Sequence, residues 1–186
     1  MAAKVKGPPL LIGVDIGGVL SSKAKEYESD TNRLETEFDM PGCIEALMAL
    51  KSKGHRLFIV SFCGERRAKE TMRLYQEKYT HIFEDAFFVK KRPFKHDVAV
   101  YCGIDVMVDD RFDILKHMTT VHRIHFVGDL MDDIVKEAAQ DKRTKRFTAK
   151  NWSDVVQIID IPIFPRGNKP NPDVDIKKLC HCRYTY

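Results

Sequence analysis

Five short apolar runs punctuate the chain: LLIGVDI (10–16), HRLFIVSF (55–62), DAFFVK (85–90), DVMVDD (105–110) and HRIHFVG (122–128). Each is continuous rather than alternating, as strands covered on both faces must be. Between them lie stretches of helical periodicity. PGCIEALMALKSKG (41–54) has Pro near its start and Gly after its end, and its spacing predicts one face made of Ile44, Leu47, Met48 and the stem of Lys51. ERRAKETMRLYQEKY (65–79), PFKHDVAVYCG (93–103) and RFDILKHM (111–118) repeat the theme, and a last helix is expected in TAKNWSDVVQIID, capped by Asn151 or Ser153. Strand and helix taking turns imply right-handed crossovers and a parallel sheet covered on both sides, a three-layer α/β/α Rossmann-like fold.

A chain of 186 residues, 44% hydrophobic and 31% charged, suits one globular body. We expect it over residues 1–160, with 161–186, rich in Pro, Gly and Asn, as an extended C-terminal tail lying on that body or partly disordered. The net charge of +4 is too mild to argue for nucleic acid by itself. Five cysteines are an odd number without disulfide-framework spacing, and the apolar run after MAAKVKGPP is too short for a signal peptide or membrane span. The expectation is a cytosolic protein, the nucleus not excluded, with no membrane partner.

Ligands of open parallel sheets bind at the carboxyl ends of the strands. The residues there are Asp15 after the first run, Ser61 near the end of the second, Lys90, Lys91 and Lys95 around the third and the helix after it, and Asp109 with Asp110 after the fourth. An aspartate, a hydroxyl, a lysine and an acidic pair can assemble into one pocket. Other groups have plainer readings. Ser61 is expected to cap the following helix; His55, His122 and His125 are placed at strand starts or edges; Arg66 and Arg67 either reach a substrate or are solvated. Cys180-His181-Cys182 is a weak zinc signal because no second cluster accompanies it. KKRPFK and DKRTKR (141–146) are compatible with nucleic-acid phosphates, but short basic runs are usually solvated faces, so nucleic acid is the less favoured partner.

The order Asp15-Ile16-Gly17-Gly18-Val19, Ser61, Lys, Asp109-Asp110 resembles the four motifs of the haloacid dehalogenase superfamily, most of whose members are Mg²⁺-dependent phosphohydrolases. The resemblance spans about residues 10–160 and includes MPGCIEALMALKSKGHRLFIVSFCGERR as the approach to the second motif. It implies that Asp15 is the nucleophile that forms an aspartyl phosphate on a phosphorylated substrate. It implies a Mg²⁺ held by the Asp15 carboxylate, the Gly17 carbonyl and Asp110, with Asp109 behind them. Ser61 and neighbouring amides such as that of Phe62 would hold phosphoryl oxygens, Gly18 would turn the chain sharply and let amides approach the phosphate, and Lys95 would offset the charge, Lys91 being the alternative. VGDLMDD (127–133) competes for the fourth motif, and strand order argues for VMVDD instead.

One position departs from the pattern. The usual motif has a second aspartate two residues after the nucleophile, as general acid and base; here it is Gly17. General acid–base assistance is typically worth about 10²–10⁴-fold, so poor leaving groups such as alkyl alcohols should suffer, and aryl phosphates, acyl phosphates and anhydrides less. Glu28, Asp30 and Asp113 are candidate replacement acids. The segments after the first and third strands are too short for a cap domain. An open site suits a large phosphorylated substrate or a small one covered by an oligomer partner. Three functions follow: a capless phosphatase, a binding or regulatory module without useful turnover, and a phosphatase for nucleotides or nucleic-acid ends.

Overall fold

The computed structural model describes residues 9–22, 37–118, 122–128, 146–161 and 167–183. Strand β1 (Leu11–Val14) leads to helix α1 (Cys43–Ser52), β2 (Arg56–Phe62), α2 (Glu65–Lys78), β3 (Asp85–Val89), α3 (Phe94–Cys102), β4 (Val106–Asp109), α4 (Phe112–Leu115) and β5 (His122–Phe126). β6 (Arg146–Ala149), α5 (Trp152–Asp160), α6 (Ile176–Leu179) and β7 (Cys180–Arg183) follow. The sheet order is β6-β5-β4-β1-β2-β3-β7, and all pairs are parallel except β3 with β7. Order reverses at β1, which sits between β2 and β4, so the crevice for a ligand opens above those three strand ends.

Alternate strand residues feed two cores. Ile12, Val14, Leu57, Ile59, Val106 and Val108 pack with Leu47, Ala68, Tyr75, Trp152 and Val155 from α1, α2 and α5. Phe58, Val60, Phe87 and Met107 pack on the other face with Val98, Ala99, Leu115 and Ile176 from α3, α4 and α6. The layers are therefore α/β/α, as the continuous apolar runs imply. Gly13 is needed inside β1 because a Cβ there would lie 2.8 Å from Met107 Sδ and 2.9 Å from Ile104 Cδ1.

Three expectations change in detail. The buried stripe of α1 is Cys43, Ala46, Leu47 and Leu50, whereas Met48 is 42% exposed and the Lys51 ammonium reaches the His81 carbonyl. Cys and Ala in that stripe let the helix approach the sheet more closely than an Ile44/Met48 face would. β6 begins at the last residue of DKRTKR and was hidden because an edge strand is paired on one side and, of its described side chains, only Ala149 is fully buried. The C-terminal stretch does more than lie on the body. Asp105 accepts the amides of Gly167 and Asn168, and β7 then closes the edge of β3, with Arg183 paired to Asp85 at 2.9 Å and stacked on the Phe87 and Tyr101 rings. The expected cap on α5 is Asn151, whose side chain accepts from the Asp154 amide.

Candidate active site

Asp15 leaves the sheet one residue after β1, but its amide still donates to the Val108 carbonyl at 3.0 Å, which pins it against the end of β4. One carboxylate oxygen accepts from the Ile16 amide at 2.8 Å and the other meets the Lys95 ammonium at 2.8 Å. Lys95 lies in the first turn of α3, with its side chain only 2% exposed, and also contacts Asp109 Oδ2 at 2.6 Å. The remaining Asp109 oxygen accepts from the Arg111 amide at 2.8 Å. The Asp110 carbonyl is 3.0 Å from His125 Nε2 on β5. Oxygens of Asp15, Asp109 and Asp110 all fall within 4.8 Å of one another, and all three residues are buried.

Burial disfavours the Lys95 charge, but the attraction of Asp109 and Asp15 outweighs it and holds the ammonium above its ordinary range. Burial pushes the Asp109 carboxyl up; Lys95 pulls it back, and the charges of Asp15 and Asp110 push it up again. Three buried carboxyl groups share one buried ammonium, a combination that is costly without further positive charge. The donors are all carboxylate oxygens, the set a hard divalent cation prefers, so the residues fit Mg²⁺.

An open cavity of about 200 Å³ is lined by Asp15, Asp110 and Lys95 of this cluster, by Gly17, and by Ser61 and Phe62 from β2, while Asp109 stays behind them. Gly18 is not part of the lining. Its φ of 74° gives the chain a sharp turn, and its amide donates to the Ser21 carbonyl at 2.8 Å. Ser61 does not cap α2; it sits within β2, and Gly64 is the N-cap. Lys91 lies on the surface near the Phe94 ring, away from the acidic cluster. Of the two arginines after Ser61, Arg67 lines the cavity and Arg66 does not. Asp113 pairs with Arg111 at 2.8 Å, which holds its carboxyl below the ordinary range and ill suited to donate a proton.

Thr71 and Arg111 also line the cavity, though sequence reasoning passed over them, and so does Arg92, read from the sequence only as part of the basic run KKRPFK. Thr71 is four residues after Arg67 on α2 and Arg92 three before Lys95, spacings that could have flagged both. Cys63 lines it too, but burial pushes its thiol up to about 12, so it is no thiolate nucleophile at neutral pH. His55 precedes β2 and His122 begins β5, whereas His125 is fully buried within β5. Burial likewise raises Cys180 to about 12 and Cys182 to about 11, and among the described residues the three aspartates alone have metal-holding spacing. Glu28, Asp30, Asp129 and nearly all of DKRTKR lie outside the described residues.

Solved structures share this architecture across most of the chain. A HAD-superfamily hydrolase from Ehrlichia chaffeensis aligns with a TM-score of 0.54 at 14% identity, over 82% of this chain and 96% of that one. The chain has a haloacid dehalogenase-like fold. D,D-heptose 1,7-bisphosphate phosphatase from Burkholderia thailandensis aligns with a TM-score of 0.54 at 14% identity, over 81% and 97% of the two chains. YfnB from Bacillus subtilis, described as a HAD-hydrolase and bound to magnesium, has a TM-score of 0.56 at 10% identity, over 83% and 100%. No protein-family model and no curated protein matches the sequence. At these identities the HAD-like likeness speaks for fold alone. No helix among the described residues is long and apolar enough to cross a membrane.

Proposed function

We propose that the chain is a Mg²⁺-dependent phosphohydrolase that works through an aspartyl phosphate on Asp15. The observation that carries this reading is Lys95, an almost fully buried cation between Asp15 and Asp109, beside Asp110 and at the strand ends of a HAD-like sheet. Burying four charged groups together is a poor way to stabilise a core, and their concentration in one cavity is what phosphoryl transfer requires. The hydrolase names of the structural neighbours, and the magnesium in one of them, support it further.

Asp15 and Asp110 carboxylates, with the Gly17 carbonyl, would hold the cation, which supplies positive charge where the phosphoryl oxygens gather. An Asp15 oxygen attacks phosphorus and forms the acyl phosphate as the bond from phosphorus to the leaving-group oxygen breaks and that oxygen departs with the electron pair. Lys95 holds that carboxylate in place, and Asp109 fixes Lys95. The Ser61 hydroxyl donates to a phosphoryl oxygen. Water then hydrolyses the acyl phosphate and regenerates Asp15. A cytosolic setting and a phosphorylated substrate belong to the same proposal.

Gly17 favours a second reading, a module that binds phosphorylated ligands without useful turnover. Hydrolysis of p-nitrophenyl phosphate with and without Mg²⁺, comparing the wild type with Asp15→Asn, separates the two. Turnover needing both Mg²⁺ and Asp15 supports the enzyme. A folded, Mg²⁺-binding wild type no faster than Asp15→Asn refutes it and leaves the binding module.

A further inference from the structure

Resting on the phosphohydrolase reading, two independent observations bear on what departs from phosphorus. The first is that the described lining offers no proton donor outside the acidic cluster. Among the described lining residues the only carboxyl groups are Asp15 and Asp110, both in the acidic cluster, and the position where an acid would stand is Gly17. Of the three candidate replacement acids, Glu28 and Asp30 lie outside the described residues, and Asp113 is tied to Arg111 outside the lining.

The second is the charge of the remaining wall. Arg67 from α2, Arg92 ahead of α3 and Arg111 after β4 all line the same cavity, although they come from three separate parts of the chain. Arg92 lies over the Phe62 ring at 4.5 Å, and the Asp113 pair orients Arg111. Lys95 is already engaged by Asp15 and Asp109, and a cation on the carboxylates would meet the phosphoryl group itself. Three guanidiniums are more than a single phosphoryl group requires.

We infer that the leaving group departs as an unprotonated oxyanion received by Arg67, Arg92 and Arg111, which makes the substrate a phosphoric anhydride. An Asp15 oxygen bonds to the terminal phosphorus as the bridging P–O bond breaks. The electron pair stays on the bridging oxygen, which leaves as a phosphate with no proton transferred. Water then cleaves the aspartyl phosphate to inorganic phosphate, restoring Asp15 and releasing a proton to solvent. An alkyl phosphate would expel an alkoxide that needs the proton this wall does not supply. An acyl phosphate also leaves unprotonated, but as a single-charged carboxylate it calls for fewer guanidiniums than a phosphate does.

The test uses the full chain with Mg²⁺ and four substrates: inorganic pyrophosphate, acetyl phosphate, p-nitrophenyl phosphate and glycerol 1-phosphate. We expect kcat/KM for pyrophosphate to exceed that for glycerol 1-phosphate by about 10²-fold or more, the scale of the missing acid. Arg67→Ala and Arg92→Ala should lower the pyrophosphate to p-nitrophenyl phosphate ratio by about tenfold or more, with Arg92→Lys recovering part of it. Thermal melting confirms that the variants fold. Glycerol 1-phosphate within about tenfold of pyrophosphate, or arginine variants that slow all substrates equally, would overturn the inference. Acetyl phosphate preferred without arginine dependence would overturn it in favour of acyl phosphates. Aryl turnover that needs Asp15 and Mg²⁺ while pyrophosphate stays inert sinks this inference alone; no turnover of any substrate sinks the phosphohydrolase reading with it.

Discussion

Lys95→Met keeps much of the volume and shape of the lysine stem and removes its charge. In the wild type the ammonium stands 2.8 Å from Asp15 and 2.6 Å from Asp109, with the Lys95 and Asp109 side chains 2% and 0% exposed. Without it, two buried carboxylates face each other and Asp110 with no cation between them. Removing one partner of a buried ion pair typically costs about 3–5 kcal/mol, and the near-complete burial here gives no reason to discount that range. The assay is urea unfolding in EDTA, so that no metal replaces the lost charge, from pH 5 to 8. The variant should lose about 3–5 kcal/mol at pH 7.5. Its loss should shrink on acidification, because burial already raises Asp109 and removing Lys95 takes away the main opposing pull. A carboxyl raised in the folded state contributes stability that is fully present below its unfolded value near about 3.9 and is lost as pH rises through the folded value. A loss under about 1 kcal/mol at pH 7.5 would show that the cluster is solvated or relaxed, and would refute the electrostatic argument. Added Mg²⁺ should restore part of the stability, because it supplies the missing positive charge.

Gly17→Asp should raise turnover of glycerol 1-phosphate toward the about 10²–10⁴-fold that a general acid contributes. Gly17 is not among the residues of positive φ, so the backbone accepts the change, and an unchanged rate in a folded variant would show that this position does not face the leaving group. Gly103→Ala should destabilise by at least the about 1–2 kcal/mol of a left-handed alanine, since φ is 69° and a Cβ would lie 2.6 Å from the Asn168 carbonyl; an unchanged urea midpoint would contradict the docking of residues 167–170. Cys63, pushed up to about 12 by burial, should react with iodoacetamide at pH 8 far more slowly than in urea, and native labelling at the rate of an unfolded thiol, read by mass spectrometry, would contradict its burial.

The interior strands were legible because their signal is local. A strand covered on both faces is largely apolar, and β1 to β4 read that way within a residue or two of their ends, whereas β5, HRIHF, shows it only at Ile124 and Phe126. The edges were not: β6 begins at the end of a basic run and β7 falls among residues read as tail, because a strand paired on one side needs only part of its surface apolar. The face of α1 was misread because 43/46/47/50 and 44/47/48/51 are equally good helical stripes, and only the closeness of the sheet chooses the one with Cys43 and Ala46.

The same division runs through the site. The sequence by itself determined that acidic, hydroxyl and lysine groups stand at strand ends, and that the residue two after Asp15 has no acid to give, because both are matters of position along the chain. Tertiary structure decided that Lys95 rather than Lys91 reaches Asp15 and Asp109, that Gly18 spends its amide on its own loop, and that Arg67, Arg92 and Arg111 share one cavity. Those three arginines are separated by 25 and 19 positions and carry no common pattern. The order of β1, β2, β3 and β4 in the sheet brings the segments that follow them to one end of the molecule, where their charges add.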